Sequence, residues 1–305
     1  MVTLGTTARL VSNGSWLSMC RLSWVAGLTL ALPAAVGLMG FSVALAGCAF
    51  LWALGGSATQ PTLALLGYSL GVLASLGSAL MLPKLWRFGQ GDWLMRSTAS
   101  LLRYARGQAP EVDARVADWA EAIKQSLTSG DHDEVLVVAH SSGCIAAVAA
   151  LSQAVKDTEE KQRITKPLSL LTLGQCIPVL SHQPEAKAFR MALSHLGGTE
   201  ALTWVDLSAP PDACCFALSD PCATPHAVGG PTVSVKRLSP RYAEQMDSNS
   251  YRELKSNKLR CHFQYLMAFK SPKYYDFFSW VCGPQTLAQT TQQFQSVTNF
   301  SRFRW

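Results

Sequence analysis

The sequence predicts a transmembrane hairpin of two helices, followed by an open, mostly parallel α/β sheet with helices on both faces. The 305-residue chain has no charged residue and no histidine from Leu22 to Pro83, and all 20 acidic residues follow that run. Beyond it the charged fraction is that of a soluble protein, and short apolar segments alternate with amphipathic ones. These features exclude a purely soluble protein, a disordered chain and a polytopic transporter.

Four segments are predicted from this distribution of charge. They are a short basic N-terminal segment (1–21), a transmembrane hairpin (22–83), a basic interfacial connector (84–108) and an α/β domain (109–305). The division implies an integral membrane protein with one globular domain.

The two spans lie on either side of a polar turn at residues 55–61. The first falls within residues 22–54 and the second at about 62–82, and each is long enough for the roughly 20 residues that cross a bilayer. Small residues on one face of the second span, Gly67 and Gly71 among them, would allow close packing against the first. Scattered small residues of this kind are also common in membrane helices, so both interpretations stay open.

Basic residues flank the hairpin on both sides and are absent from its turn, which predicts that both ends lie in the cytoplasm. A competing interpretation starts from residues 45–48, Leu-Ala-Gly-Cys, which match a bacterial lipoprotein cleavage box. It would lipidate Cys48 and export the rest of the chain, but the apolar run continues past the box and a second span follows. The flanking basic residues are Arg9, Arg21, Lys84, Arg87, Arg96, Arg103 and Arg106.

Cofactors and nucleic acid are not predicted. The nine cysteines form no Cys-x-x-Cys pair, and the adjacent Cys214 and Cys215 suit reduced cytosolic thiols. No Cys or His set has the spacing of a metal site, and no glycine-rich phosphate loop occurs. The net charge of +6 is too small to indicate nucleic-acid binding.

Residues 109–305 predict alternating helices and strands. The first strand, 134–139, is a short apolar run rich in β-branched residues, which suits a strand buried on both faces of a parallel sheet. Such alternation predicts an open parallel α/β sheet. In chain order the predicted elements are helix 111–127, strand 134–139, helix 143–156, strand 168–173, helix 185–196, strand 202–207 and strand 232–236.

A candidate nucleophile stands between the first strand and its helix, in the sequence Ala139-His140-Ser141-Ser142-Gly143. A small-x-Ser-x-Gly pattern at a strand-to-helix turn is a nucleophile elbow, which lifts the serine clear of the sheet. The amide of Ser142 would then point at the reacting oxygen as an oxyanion donor. The alternative is that Ser141 is a simple helix N-cap.

A serine nucleophile needs a base, and the base needs an orienting carboxylate. In this type of fold the acid follows the serine in the chain and the histidine comes last. Asp212 lies in the loop after strand 202–207, where the acid is expected. Asp206, within that strand, and Asp220, before a proline, are the alternatives.

His262 is the preferred base, because it follows the last predicted strand among apolar and aromatic residues that could fix its ring. His226 precedes that strand and is the alternative. His140 is expected to line the pocket. The other histidines, expected at turns or helix surfaces without a catalytic role, are His132, His182 and His195.

These motifs resemble the α/β-hydrolase superfamily, and more narrowly a group of bacterial membrane proteins that join a transmembrane hairpin to such a domain. The resemblance rests on residues 134–143, 170–174, 204–216 with the nearby 220–221, and 262–266. It implies hydrolysis of an acyl ester or lipid at a bacterial inner membrane, with Ser141, Asp212 and His262 as the triad.

The sequence departs from the family pattern at two places. Ala139 replaces the first glycine of the elbow, which keeps the residue small. Residues 1–21 show no strand that ends in a glycine-rich oxyanion loop. We therefore expect that the second oxyanion donor is missing or is supplied by another part of the chain. The other explanation is that translation starts upstream of Met1. A catalytically inactive membrane protein that binds a lipid or protein partner is the second hypothesis, and an acyltransferase is the third.

Overall fold

A computed structural model describes residues 2–57, 59–88, 91–129, 132–159, 164, 166–225 and 235–297. Contacts between residues divide the chain into two compact units. One unit comprises Met1–Ser12 and Leu28–Ser100, and the other comprises Asn13–Gly27 and Leu101–Trp305. The four segments predicted from the sequence stay a prediction, because the units follow spatial contact rather than charge.

Among the described residues up to Ala105, all regular structure is helical, and no strand precedes the first span there. Two of the helices are long and apolar enough to cross a membrane by length and composition, with mean hydropathies of 2.0 for α3 and 1.3 for the first 18 residues of α4. Only 6% of the residues in either apolar window are buried. The helices are α1 (Val2–Ser12), α2 (Ser15–Leu22), α3 (Trp24–Ser57), α4 (Pro61–Phe88) and α5 (Gly91–Ala105).

The turn between α3 and α4 is shorter than the sequence predicts. Helix α3 continues through Gly55 and Gly56 to Ser57, and α4 begins at Pro61. The prediction of a turn over all of residues 55–61 is therefore wrong at its first three positions. In a helix the amides of these glycines donate to carbonyls four residues earlier, so glycine does not end α3 here.

Small residues bring α3 and α4 close together. A Cβ atom on Gly67 would lie 2.6 Å from the backbone of Gly55, and one on Gly71 would lie 2.8 Å from the ring of Trp52. The rings of Trp52 and Tyr68 are 5.2 Å apart. Gly67 and Gly71 of α4 therefore face α3, as small residues at the interface of helix pairs do.

The described residues of the second unit form a parallel sheet of four strands in the order β1-β2-β3-β4. The prediction of a parallel α/β sheet is confirmed for the first three strands. The fourth begins where the predicted strand 232–236 ends, and residues 232–234 lie outside the described residues. The strands are β1 (Val135–His140), β2 (Leu168–Leu173), β3 (Leu202–Leu207) and β4 (Lys236–Leu238), and the helices before and between them are α6 (Pro110–Thr128), α7 (Gly143–Glu159), α8 (Pro178–Ser181) and α9 (Lys187–Gly197).

Strand β1 lies at the edge of the sheet that the described residues form, and β2 is its one neighbour there. Its Val135 and Ala139 are buried, but the residues between them are only half-buried, whereas every residue of β2 is buried. The expectation of burial on both faces holds only in part, because Leu136 and Val138 on one face are partly buried against the apolar core and an edge strand has no neighbour on its outer side.

Alternating side chains of the strands point to opposite faces. On one face Leu171, Leu173, Val205 and Leu207 join an apolar core with the C-terminal helices. Helices α6 and α7 pack through small residues, with Ala150 among them, and α7 contacts β1 and α9. The C-terminal elements are α10 (Tyr242–Gln245), α11 (Ser248–Ser256), α12 (Lys258–Phe263), a 3₁₀ turn (Gln264–Leu266), α13 (Phe277–Cys282) and α14 (Leu287–Thr291).

Helix α2 packs against α8 within this unit, although the sequence assigned residues 1–21 only to a basic segment. The Asn13 amide donates to Gln183 Oε1 (2.9 Å), and the Gln183 amide donates to Ser15 Oγ (3.2 Å). The Ser18 hydroxyl is 2.9 Å from His182 Nδ1. His182 lies in the turn after α8, as expected, and its side chain is buried there.

Candidate active site

Ser141 lies at the sharp turn between β1 and α7 and has a φ of 57°. A non-glycine residue in the left-handed region is strained, and such strain recurs at functional sites. The Ser141 amide donates to the Leu173 carbonyl (2.9 Å), which ties the turn to the end of β2. Ser141 therefore has the backbone geometry of a nucleophile elbow.

Three side chains predicted from the sequence lie in one hydrogen-bonded chain. Ser141 Oγ is 2.8 Å from His262 Nε2, and His262 Nδ1 is 2.8 Å from Asp212 Oδ2. Because a carboxylate only accepts, the Nδ1–H of His262 donates to Asp212 and Nε2 accepts from the Ser141 hydroxyl. The His262 and Asp212 side chains are 1% and 0% exposed, so little water competes for these bonds.

Each member of this chain comes from a separate element. Parallel strands place their carboxyl ends at one edge of a sheet, where Ser141 follows β1 and Asp212 follows β3. His262 lies on α12, whose N-cap Asn257 accepts from the Arg260 amide (3.0 Å). The sheet and the C-terminal helices together form the site.

The loop around Asp212 holds its carboxylate in one orientation. The Asp212 amide donates to the Ala209 carbonyl (3.0 Å), and Oδ1 accepts from the Cys214 amide (2.9 Å). Oδ2 accepts from the Tyr265 hydroxyl (2.9 Å) as well as from His262. Among the described residues the carboxylate thus receives three hydrogen bonds, which fix its orientation.

The alternative acids, Asp206 and Asp220, have hydrogen-bond partners other than His262. Asp206 is fully buried and accepts from Thr172 Oγ1 (2.7 Å) and Ser208 Oγ (3.2 Å), and burial raises its pKa to about 7. Asp220 Oδ1 accepts from the Cys222 amide (2.9 Å) in a turn. The alternative base, His226, lies outside the described residues.

Two residues near the acid were not assigned a role from the sequence. Tyr265 donates to Asp212 and accepts from the Ala209 amide (2.8 Å), so it ties the acid loop to α12. Gly174 has a φ of 53°, and a Cβ there would lie 2.6 Å from the Tyr265 ring and 3.1 Å from Asp212 Oδ2. The spacing of three residues between His262 and Tyr265 could have indicated a shared helical face.

Buried thiols surround the site. Burial raises the pKa of Cys176 to about 12, although a hydrogen bond with Ser141 partly offsets this effect, and burial likewise raises the pKa of Cys214 to about 12. Both are therefore uncharged thiols near neutral pH and poor nucleophiles. Ligand atoms of Asp212, Cys214 and His262 lie within 4.8 Å of one another, but the carboxylate already accepts its three hydrogen bonds.

Ser142 and His140 adjoin Ser141 in the chain, whereas His132 and His195 have other surroundings. Ser142 follows the nucleophile at the start of α7, and its carbonyl accepts from the Ile145 amide (3.1 Å). His132 is exposed, and His195 Nδ1 is 3.1 Å from Ser152 Oγ. His140, expected in the pocket wall, contacts the ring of His262 directly.

Residues 80–168 match a family model described as a serine hydrolase. This stretch, less than a third of the chain, contains β1, the elbow and α7, whereas Asp212 and His262 lie beyond it. No curated protein and no solved structure matches the chain. The match supports a hydrolase-like domain of the serine-hydrolase type.

Proposed function

We propose that this protein is a membrane-anchored serine hydrolase that cleaves an acyl ester, with Ser141 as nucleophile, His262 as base and Asp212 as orienting acid. The observation that carries the proposal is the hydrogen-bonded chain Ser141–His262–Asp212, with two separations of 2.8 Å. Strain at Ser141 and burial of the other two side chains are typical of a preorganised nucleophile and base.

In the first half-reaction, His262 Nε2 takes the proton of the Ser141 hydroxyl as Oγ bonds to the ester carbonyl carbon. The negative charge that develops on the carbonyl oxygen is stabilised by the Ser142 amide and the positive end of α7. The imidazolium of His262 then gives its proton to the leaving alcohol or thiol as the acyl bond breaks. Asp212 keeps Nδ1 protonated throughout and stabilises the cation.

In the second half-reaction, water replaces the leaving group. His262 takes a proton from the water as its oxygen attacks the acyl carbon, and returns a proton to Ser141 Oγ when the acyl–serine bond breaks. The products are a carboxylic acid and the free enzyme. An acyltransferase would use the same steps with another acceptor in place of water.

An amphiphilic substrate at the cytoplasmic face of a bacterial inner membrane fits this chain best. Helices α3 and α4 have the length and composition of membrane spans, and basic residues on both flanks favour a cytoplasmic domain. Phe263, whose ring centroid is 5.8 Å from that of His262, is 37% exposed, and Met267, five residues after the base in the chain, is 42% exposed. Exposed apolar side chains next to a nucleophile suit contact with an acyl chain.

Labelling by a fluorophosphonate tests the proposal, because this probe reacts with an activated serine without requiring the natural substrate. We expect the detergent-solubilised protein to be labelled and the Ser141→Ala and His262→Ala variants not to be labelled. Ser142→Ala is the matched control for the first variant, because it keeps the backbone amide. His195→Ala is the control for the second.

Labelling that persists in Ser141→Ala would contradict the assignment of the nucleophile. An absence of labelling in well-folded wild-type protein would favour the non-catalytic alternative, in which the domain binds a lipid or protein partner. If labelling succeeds, competition between water and alcohol acceptors on a panel of esters separates a hydrolase from an acyltransferase.

A further inference from the structure

His140, the residue before the nucleophile, contacts the base in two ways. Its Nε2 is 2.8 Å from the main-chain oxygen of His262, and the two imidazole centroids are 4.6 Å apart. The ring also lies 5.2 Å from Phe263 and 5.9 Å from Tyr265. His140 therefore touches the backbone and the side chain of the residue that takes the proton.

The hydrogen bond fixes the tautomer of His140. A carbonyl oxygen only accepts, so Nε2 of His140 must carry the proton and Nδ1 has the lone pair. The acceptor lies in the last turn of α12, where helix carbonyls lack an intrahelical partner. His140 thus anchors the end of the short helix that carries His262 to the end of β1, directly before Ser141.

The surroundings of His140 disfavour its cation. Burial lowers its pKa, and the neighbouring His262 lowers it further, while the His262 carbonyl and Asp212 act in the opposite direction. From the elements packed around it, the charged or titratable groups that face the ring are His262, Asp212 and Tyr265. A cation at His140 would oppose formation of the His262 imidazolium that the reaction requires.

We propose that His140 is a positioning residue that holds His262 against Ser141 through its hydrogen bond, and that the site works only while His140 is neutral. This inference rests on the proposed hydrolase function, because it concerns the base of that reaction. It assigns His140 a role beyond lining the pocket. It also gives the protein a second proton-sensitive group beside the base.

Two substitutions separate the hydrogen bond from the charge. His140→Gln keeps an N–H donor near the position of Nε2 and stays neutral at every pH, whereas His140→Phe keeps a ring but loses the donor. The measured quantity is the second-order rate of fluorophosphonate labelling between pH 5 and 8. Exposed His132→Gln is the matched control.

At pH 8 we expect His140→Gln to react within a few-fold of the wild-type rate and His140→Phe to react about 10- to 100-fold more slowly, because a small displacement of a catalytic group has effects of this size. Below neutral pH, protonation of either His140 or His262 should lower the labelling rate of the wild type. In His140→Gln only protonation of His262 should lower it. The logarithm of the rate therefore has a steeper acid limb in the wild type.

Labelling of His140→Phe at the wild-type rate, or identical acid limbs for wild type and His140→Gln, would overturn the inference. Thermal unfolding checks that both variants fold, and if His140→Phe does not, the comparison of the acid limbs decides. Failure of the wild type itself to label would count against the hydrolase function instead. In that case ¹⁵N-histidine NMR tests His140 directly, because an imidazole that is not in the neutral Nε2–H form near pH 7 would refute the assignment.

Discussion

The hydroxyl of Tyr265 joins the acid to the helix that carries the base. It donates to Asp212 Oδ2 (2.9 Å) and accepts from the Ala209 amide (2.8 Å), and its side chain is fully buried. A buried hydroxyl with both bonds satisfied restricts the loop and the helix at once. The orientation of Asp212 therefore depends on a residue that takes no part in proton transfer.

Gly174 is the residue that makes room for this contact, and Gly174→Ala should disrupt it. The new Cβ would lie 2.6 Å from the Tyr265 ring at a positive φ of 53°, where a side chain itself costs about 1–2 kcal/mol. We expect a lower melting temperature and at least tenfold slower fluorophosphonate labelling. Gly143→Ala is the control, because a Cβ there meets nothing within 4 Å. Equal effects of the two substitutions would refute the steric explanation.

Asp206 makes stability depend on pH. Its pKa is about 7 in the folded protein and about 3.9 in an unfolded chain, so between these values unfolding releases a proton. Stability from this group is fully present below about pH 4 and falls as the pH rises to about 7, by up to roughly 1.4 kcal/mol per unit. Asp206→Asn should therefore gain stability relative to wild type between pH 5 and 8. A difference in melting temperature that stays constant over this range would contradict the prediction.

Among the elements, α3 and α4 depend on glycine for their close approach. Gly67 faces the backbone of Gly55, and Gly71 faces the indole of Trp52. Van der Waals packing of this kind stabilises helix pairs in a bilayer, where apolar burial contributes little between helices. The pairing therefore depends on the absence of side chains at particular positions of α4.

Gly67→Leu should separate the two helices. Its Cβ would lie 2.6 Å from Gly55, and the rigid backbone on the opposite side cannot move as a flexible side chain would. We expect the melting temperature in detergent to fall, as measured by intrinsic fluorescence. Gly77→Leu on the same helix has nothing within 4 Å of the added Cβ and should leave it unchanged. An equal fall in the melting temperature of both variants would mean that leucine in place of glycine lowers stability at either position, and that the contact with Gly55 is not the cause.

At the scale of the whole molecule, the division into units does not follow chain order. The segment Asn13–Gly27 belongs to the same unit as the sheet, although Leu28–Ser100 separates it from the rest of that unit. Hydrogen bonds to Gln183 and His182 join this segment to α8. A segment before the first apolar helix is thus part of the hydrolase-like unit.

Gln183→Ala should loosen this attachment. Gln183 is fully buried, and its side chain bonds to Asn13, Ser15 and the Val179 carbonyl. The substitution removes hydrogen bonds that join the segment to the loop after α8, at about 0.5–1.5 kcal/mol each. We expect a lower melting temperature and faster tryptic cleavage after Arg21, which is exposed. The control is Gln125→Ala, which removes an exposed hydrogen bond on α6, and similar cleavage rates in both variants would refute the prediction.

Several features of the chain could be predicted because their signal is local. A long charge-free run predicts apolar helices, and short apolar segments that alternate with helices predicted β2 and β3 with the bounds that the structure has. The elbow motif and the chain order of the acid and the base were sufficient to select Ser141, Asp212 and His262, whose side chains lie in one hydrogen-bonded chain.

Other features depended on the tertiary structure, because they arise between residues far apart in the chain. The bond from Tyr265 to Asp212, the clearance at Gly174 and the contact of His140 with His262 exist only after β1, β2, β3 and α12 have been brought together. The same holds for the burial of Asp206, which follows from the elements that cover β3. The sequence thus determined which elements form and which side chains carry the candidate chemistry. Packing decided how those side chains are oriented and charged, because orientation and desolvation depend on neighbours that local sequence does not specify.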